Sequence, residues 1–262
     1  MVDKKIVKFL SVLSIFILFS CILQAQQIIR LETNDSDVGM RFSAEVTKKL
    51  SRNWSGSWEE EFRLRDNISA MDRLYSGLSV SYDVSPYFST SLAYQHQLIN
   101  HEGKPSTDYQ EYWDFRHKGV LSGSFTYPIG QFELSLRQRF DMTLRTDSIN
   151  PEEANNPKLE ARTRAELQYS FWATPLKPYA SVEMFNPLNN VAYTQDEWLT
   201  SMRYTAGLTY RLDARTRVEL YYFFENENKQ DVNIGRNNPN KVTITTEKEQ
   251  KHVIGFAYKY KF

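Results

Sequence analysis

Four histidines are the residues of this sequence best suited to acid–base chemistry: His96, His101, His117 and His252. A serine hydrolase needs a histidine within hydrogen-bond reach of a serine, and a polar group that orients the histidine. In the alternating segment EYWDFRHKGVLSGSF, His117 shares a face with Gly119, whereas Ser122 and Ser124 fall on the other face. His96 has no serine two residues away on its own face. The sequence therefore contains no recognisable catalytic constellation, and we expect a protein that is not an enzyme.

Motifs for metals, phosphates and nucleic acids are equally weak. The segment DVNIG at 231–235 resembles the start of a calcium loop, but its glycine comes one residue early and the closing glutamate is missing. We find no metal-ligand spacing, glycine-rich phosphate loop or nucleophile elbow, and we expect no metal and no cofactor. The chain has 32 basic and 32 acidic residues, so no charge surplus favours nucleic acid as a partner.

The charged residues show a stronger pattern, because many recur two positions apart, which is the spacing of one face of a β-strand. If the strands close into a barrel, the following charges should face its lumen: Glu45, Glu59, Glu61, Arg63, Arg65, Asp114, Arg116, Arg137, Arg139, Asp141, Glu160, Arg162, Arg164, Glu166, Glu183, Arg203, Arg211, Arg217, Glu219 and Glu225. Arginines and carboxylates are nearly balanced, and we expect facing strands to pair them. The set predicts either an ion-pair network that fills the lumen or a narrow polar pore. We favour the network, because a selective channel usually has an excess of one sign.

The elements that must position these charges are strands with two different faces. Apolar and polar residues alternate in VGMRFSAEV, LYSGLSVSYDV, FELSLRQRFDMTL, LEARTRAELQYSF and MRYTAGLTYRL. Aromatic residues make up 14% of the chain and cluster near strand ends, as in the interfacial girdles of membrane barrels. Short connections after Leu50, Val84, Tyr127, Phe171 and Leu212 alternate with longer polar ones near 65–72, 99–110, 145–157, 187–199 and 227–248. These features predict an all-β, antiparallel transmembrane β-barrel with short periplasmic turns and longer extracellular loops.

The strand count rests on parity. Eleven strands can be read between residues 38 and 262, whereas bacterial single-chain barrels have even numbers. We therefore assign QIIRLET, at 27–33, as an additional first strand that turns at NDSD, and we predict twelve strands, with ten as the alternative. In this arrangement both termini lie in the periplasm.

The N-terminal segment has the layout of a secretory signal peptide. Basic residues at Lys4, Lys5 and Lys8 precede the apolar run FLSVLSIFILFSCIL, and Ala25 is a small residue at the expected cleavage point. We expect cleavage near Ala25, which divides the chain into a signal peptide at 1–25 and one barrel domain at 26–262. The barrel domain would contain no cysteine and therefore no disulfide.

The C-terminal segment HVIGFAYKYKF alternates strictly and ends in an aromatic residue. Such an ending resembles the signal that the outer-membrane barrel assembly machinery reads, and the residues that would carry it are Phe256, Tyr258, Tyr260 and Phe262. The assembly machinery is thus an expected partner.

Some residues depart from the alternation. Glu60 and Gln138 fall on the lipid-facing side, where a charge is costly, and a β-bulge within the EEE run would rotate Glu60 inward. In YYFF both faces are apolar, so Tyr221 and Phe223 would project into the lumen and narrow it.

Five segments together resemble successive strands of the family known as domain of unknown function 2490: LEARTRAELQYSF, KPYASVEMF, MRYTAGLTYRL, RVELYYFFENE and IGFAYKYKF. The resemblance covers nearly the whole mature chain and is most specific from Leu159 onward. It implies an outer-membrane barrel of a Gram-negative bacterium, and it implies no catalytic residues, because no activity is established for the family.

The expected function is thus that of an outer-membrane barrel, a small, largely occluded passive channel in contact with outer-membrane lipid and lipopolysaccharide. One alternative is a barrel enzyme that modifies lipid or lipopolysaccharide, since His96 and His117 could face the bilayer. Another is a structural barrel whose long loops dock a partner. The sequence does not indicate an oligomeric state.

Overall fold

The computed structural model describes residues 27–101, 112–146, 156–189, 198–234 and 241–262, so the expected signal peptide at 1–25 lies outside the described residues. Eleven strands are formed in the described part of the chain: β1 (Gln27–Lys49), β2 (Trp54–Arg65), β3 (Ala70–Asp83), β4 (Phe88–His101), β5 (Tyr112–Ile129), β6 (Phe132–Arg145), β7 (Lys158–Tyr169), β8 (Leu176–Pro187), β9 (Ser201–Arg211), β10 (Thr216–Ile234) and β11 (Lys241–Lys261). Within these ranges there is no helix long and apolar enough to cross a membrane.

The strands form one closed barrel in which each strand pairs with its sequence neighbours and β1 pairs with β11. The pairs between sequence neighbours are antiparallel, whereas β1 and β11 run parallel from Gln27↔Lys241 to Thr47↔Lys261. An odd number of up-and-down strands requires this, because the first and last strands then point the same way.

The predicted hairpin at the start of the barrel is not formed. The residues assigned to its turn, Asn34–Asp37, continue in strand conformation and pair with residues 248–251 of β11. β1 is therefore one strand of 23 residues, and the described chain has eleven strands where twelve were predicted. The physical reason is that a long partner strand supplies backbone hydrogen bonds through the polar NDSD segment, which leaves no need for a turn.

The two ends of the barrel differ in their connections. At one end, which we call the turn end, the strands are joined by residues 50–53, 84–87, 130–131, 170–175 and 212–215. At the other, the loop end, the connections are 66–69, 102–111, 146–157, 188–200 and 235–240. The predicted asymmetry holds for most of these pairs, but the first loop is only a four-residue turn. The predicted loop at 227–248 is mostly strand, because β10 and β11 extend well into it.

The first and last residues of the strands lie at opposite ends of the barrel. Gln27 lies beside Lys241 at the loop end, and Lys261 lies beside Thr47 at the turn end. The prediction that both termini lie at the same end is therefore wrong. It depended on the hairpin that is absent.

Local chemistry explains the tightest turns. Gly130 has φ 64°, a left-handed conformation that suits glycine in the two-residue β5–β6 hairpin. In the β9–β10 turn, the backbone N–H groups of Arg215 and Thr216 donate to Oδ1 of Asp213 at 2.6 and 2.7 Å. These bonds favour the charged carboxylate and lower the pKa of Asp213.

The apolar face of the sheet points outward. Leu78 and Leu92 are 62% and 66% exposed, and Leu121, Phe140, Leu208 and Leu220 are exposed on the other strands. The polar face points inward, and most of the buried side chains there are charged or hydrogen-bonding groups. A water-soluble barrel would have the opposite arrangement, because burial of apolar surface from water is what stabilises it.

Candidate functional site

The lumen contains the charged residues that the sequence placed on the polar face. A cavity of about 990 Å³ is lined by most of them, and a second cavity of about 410 Å³ lies at the turn end. The predicted lumenal charges that line the larger cavity are Glu45, Glu59, Glu61, Arg63, Arg65, Arg116, Arg137, Arg139, Asp141, Glu160, Arg162, Arg164, Glu183, Arg203, Glu219 and Glu225. Glu166, Arg211 and Arg217 line the smaller cavity, together with Arg164 and Glu219. Asp114 is buried beside Arg116 on β5.

Many ion pairs run along a strand rather than between strands. Arg139 bonds Asp141 two residues away at 2.6 Å, and Arg162 bonds Glu160 at 2.6 Å. The strand register explains this, because Arg139 lies directly opposite Arg162 and Asp141 lies opposite Glu160. Like charges directly opposite each other repel, so each arginine bonds a carboxylate of its own strand, and Arg162 also reaches Asp141 across the strands at 3.0 Å. The same holds for Arg63 with Glu61, Arg116 with Asp114, and Arg164 with Glu166.

The pairing expected between facing strands also occurs, and it is most regular in one row. From β7 to β11 the register places Arg164, Glu183, Arg203, Glu225 and Lys251 side by side, with alternating sign. Arg203 bonds Glu225 at 2.6 Å and Glu183 at 3.3 Å, and Arg137 reaches Glu183 from β6 at 3.1 Å. Glu183 is only 5% exposed, so its two arginine partners offset the cost of burying the charge.

Arginines also stack on aromatic rings across the same wall. The ring of Phe185 lies between the guanidinium groups of Arg162 and Arg203, at 4.7 and 4.8 Å. The ring of Phe223 lies between Arg203 and Arg41, at 4.6 and 4.4 Å. Phe223 is 1% exposed, although it points into a polar lumen as predicted. The stack thus covers the wall from β7 to β1 with alternating cations and rings.

Two tyrosines lie flat against the wall because glycines face them. Tyr179 is opposite Gly207, and Tyr221 is opposite Gly255. A Cβ added to Gly207 would come within 2.6 Å of the Tyr179 ring, and one added to Gly255 would overlap the Tyr221 ring. Tyr221 lines the larger cavity, as predicted, and its ring lies over Gly255.

The two cavities meet at a polar cluster near the turn end. The hydroxyl of Tyr179 donates to Glu219, and Lys259 Nζ lies 2.7 Å from the same carboxylate. These three side chains and Arg164 line both cavities. The cluster therefore marks the boundary at which the lumen is divided.

Basic and acidic residues are concentrated on opposite sides of the lumen. Along the larger cavity, β3–β7 contribute nine basic and three acidic residues, whereas β8–β11 with β1 contribute four basic and nine acidic residues. The whole lining is balanced, so the separation creates a field directed across the lumen rather than a net charge.

Sequence reasoning missed several lumenal residues. Arg41, Arg73, Lys118 and Lys259 all line the larger cavity, and Lys118 bonds Asp141 at 2.6 Å. Each lies on the polar face by simple alternation, so the strand period alone could have identified them. The role of Tyr179 required the register, because it depends on the glycine and the glutamate of neighbouring strands.

Two polar residues that break the alternation, Glu60 and Gln138, remain on the outer face. Glu60 stays on the outer face, where its Oε1 accepts a hydrogen bond from Trp58 Nε1 at 3.0 Å. The irregularity in β2 lies between Arg63 and Leu64, and not within the EEE run, so it does not turn Glu60 inward. Gln138 also faces outward and accepts a hydrogen bond from Thr163 at 2.7 Å.

The histidines lie in strands. His101 is the last residue of β4, where a loop was predicted, and His252 lies in the middle of β11, not at its start. Tyr94 bonds Nδ1 of His117 at 2.5 Å on the outer face, and Tyr222 bonds Nδ1 of His252 at 2.7 Å. In the described ranges no group of three or more histidine, cysteine, aspartate or glutamate side chains is placed to hold a metal.

The residues of the proposed assembly signal form the end of β11. Phe256, Tyr258 and Phe262 are exposed on the outer face, and the rings of Tyr260 and Phe262 meet edge to face at 4.8 Å. The Phe262 N–H donates to the carbonyl of Thr47 at 2.9 Å, so the last residue is tied to β1.

Comparison with known proteins gives a family but no activity. The sequence profile of the family described as "Protein of unknown function (DUF2490)" matches residues 39–235. No curated protein matches the chain. Among solved structures, an anion-selective porin from Comamonas acidovorans is similar, with 14% sequence identity and a TM-score of 0.34. The match covers 68% of this chain and 47% of the porin, so this chain spans about half the porin's length.

Proposed function

The chain belongs to the DUF2490 family, and from this premise we propose that it is an outer-membrane β-barrel with a largely occluded lumen and at most a small, weakly selective conductance. Secretion with removal of residues 1–25, insertion through an assembly machinery that reads Phe262, and a periplasmic turn end are parts of the proposal. Outer-membrane lipid and lipopolysaccharide are the proposed partners of the outer wall.

The outward apolar face supports the membrane location. Leucine, phenylalanine, tryptophan and tyrosine side chains are exposed on all sides of the barrel. Contiguous apolar surface of this extent is unfavourable in water, whereas a lipid bilayer accommodates it. Closure of the sheet also satisfies every strand edge around the barrel wall, as a membrane-spanning sheet requires.

The observation that carries the occluded lumen is the continuous layer of paired charges and stacked rings. Arg162, Arg203 and Arg41 are held against the rings of Phe185 and Phe223. Arg162 and Arg203 are also bonded to buried carboxylates, so these guanidinium groups are not free to line a wide path. Equal numbers of basic and acidic lining residues support weak selectivity.

Planar-bilayer recordings test the proposal. We expect small or no steady current from the unmodified protein. A variant with Arg139→Gln, Asp141→Asn, Glu160→Gln and Arg162→Gln, which we call the fourfold neutral variant, removes two basic and two acidic side chains. It should raise the conductance, because it removes part of the layer that fills the lumen and leaves Lys118 without its partner Asp141. Large steady currents from the unmodified protein would show that the charges line an open path.

Two controls accompany the recordings. Heat-modifiable gel migration shows that each variant is a folded barrel. The outer-face variant Gln138→Leu with Thr163→Val changes no lumenal group, so its conductance should equal that of the unmodified protein.

A further inference from the structure

Four polar residues form a row across the outer wall. Glu60 on β2, Ser76 on β3, His96 on β4 and His117 on β5 are direct cross-strand neighbours. Directly opposite residues on one face of a sheet have Cβ atoms about 4.5–5.5 Å apart. The row therefore brings a carboxylate, a hydroxyl and two imidazoles together on four adjacent strands.

The row is enclosed by apolar residues. The next outward row toward the loop end is Phe62, Leu74, Leu98 and Phe115. The next row toward the turn end is Trp58, Leu78, Tyr94 and Gly119. Polar groups in such a position are costly in a membrane protein, and their presence there therefore points to a function. No lumenal role accounts for them, because they point away from the lumen.

Hydrogen bonds organise the row around Ser76. Its hydroxyl donates to Glu60 Oε1 at 2.6 Å, and Trp58 Nε1 lies 3.5 Å from Ser76 Oγ while it donates to Glu60 at 3.0 Å. The ring of His96 packs against Phe115 and His117, at 5.7 and 5.4 Å between centroids. His117 is fixed by its bond to Tyr94. The serine thus has a base on one side and a held imidazole on the other.

We propose that this row is an ester-hydrolysing site that acts on the acyl chains of membrane lipids. Ser76 is the nucleophile and Glu60 is its general base. The indole N–H of Trp58 and the protonated ring nitrogen of His96 are the donors that stabilise the oxygen as it gains negative charge. His117 is a positioning residue that holds the ring of His96.

The reaction balances with water as the only co-reactant. Ser76 Oγ attacks the ester carbonyl carbon as its proton passes to Glu60, and collapse of the tetrahedral intermediate breaks the bond to the alcohol oxygen. That oxygen takes the proton from Glu60 and leaves as the lyso-lipid. Water then attacks the acyl-serine, Glu60 takes and returns the proton, and a fatty acid is released.

The substrate class follows from the position of the row, and in this respect the inference rests on the proposed membrane location. An acyl ester of a phospholipid or of lipopolysaccharide lies in the layer that the outer wall contacts, so it reaches Ser76 without leaving the membrane. Both lipids contain the same reactive group, a fatty-acid ester, and each is tested in a separate arm of the experiment.

The test measures fatty-acid release by the full barrel, reconstituted in phosphatidylethanolamine vesicles in one arm and mixed with purified lipopolysaccharide in the other. A fluorophosphonate probe with mass-spectrometric mapping should label Ser76. We expect Ser76→Ala to abolish release and labelling. Glu60→Gln should lower the rate about 10²–10⁴-fold, and His96→Ala about 10²-fold.

His252→Ala is the matched control, because Tyr222 and His252 form a second outward tyrosine–histidine pair whose cross-strand neighbours, Val38 and Phe224, carry no hydroxyl or carboxylate. It should leave release unchanged. Absence of release in both arms from a barrel that fractionates with the membrane would overturn the site and leave the proposed location intact. Unchanged release from a folded Ser76→Ala variant would also overturn it. Recovery of the protein in a soluble fraction would instead contradict the proposed location.

Discussion

Glycine and tyrosine act as pairs on the lumen wall. Along one row, Tyr179, Gly207, Tyr221 and Gly255 occupy successive strands β8–β11. The missing side chain of each glycine leaves room for the ring of its neighbour, which then packs on the backbone and covers it. A residue with a Cβ would force the ring toward the centre of the lumen.

Gly255→Ala should therefore destabilise the barrel by about 1–3 kcal/mol, because the added methyl overlaps the Tyr221 ring. Urea unfolding in detergent, followed by tryptophan fluorescence, measures the change. The second change Tyr221→Ser should recover most of the loss by removing the ring. Gly119→Ala is the matched control, since a Cβ at that outward glycine meets nothing within 4 Å. Equal effects of the two alanine substitutions would contradict the pairing.

At the scale of the strand, alternation predicted most elements and register could not be predicted. The period of two in β6, β7 and β9 assigned each side chain to a face, and the lumenal arginines followed from it. The partner opposite each residue depends on how far neighbouring strands slide, which no single strand encodes. For this reason the pairing of Arg139 with Asp141 on its own strand was not expected. Ser76 beside His96 was missed for the same reason, because only serines on the histidine strands were compared.

β1 is the element that the sequence misassigned. The NDSD segment has turn composition, and composition favoured a hairpin. Pairing with residues 248–251 of β11 overrides that preference, because a polar segment can remain in a strand when a partner satisfies its backbone.

A cysteine pair tests the parallel register. Leu31→Cys with Thr245→Cys should crosslink under mild oxidation, because these residues are opposite each other in the β1–β11 pair. Leu31→Cys with Met40→Cys is the control, since those positions would face each other only in a hairpin that turns at Asn34–Asp37. Gel mobility before and after reduction measures both. Crosslinking of the second pair alone would restore the hairpin.

At the scale of the whole molecule, charge separation is a property of strand order. The sequence has 32 basic and 32 acidic residues, and this balance alone predicts no electric field across the lumen. Closure places the arginine-rich strands β5–β7 on one side and the acidic segments of β10, β11 and β1 on the other. A permeating ion would therefore meet both signs at each level, which favours neither anions nor cations.

Removing the charges of one wall should then create selectivity with a sign set by the wall that remains. In the background of the fourfold neutral variant, Glu227→Gln with Glu249→Gln removes acids that line the β10–β11 wall and should favour anions. Arg145→Gln with Lys158→Gln removes bases that line the β6–β7 wall and should favour cations. Reversal potentials under a potassium chloride gradient measure the preference. When both new pairs of substitutions are combined in the same background, the reversal potential should return toward that of the background variant. If the reversal potentials of both wall variants shifted with the same sign, ions would not pass between two oppositely charged walls.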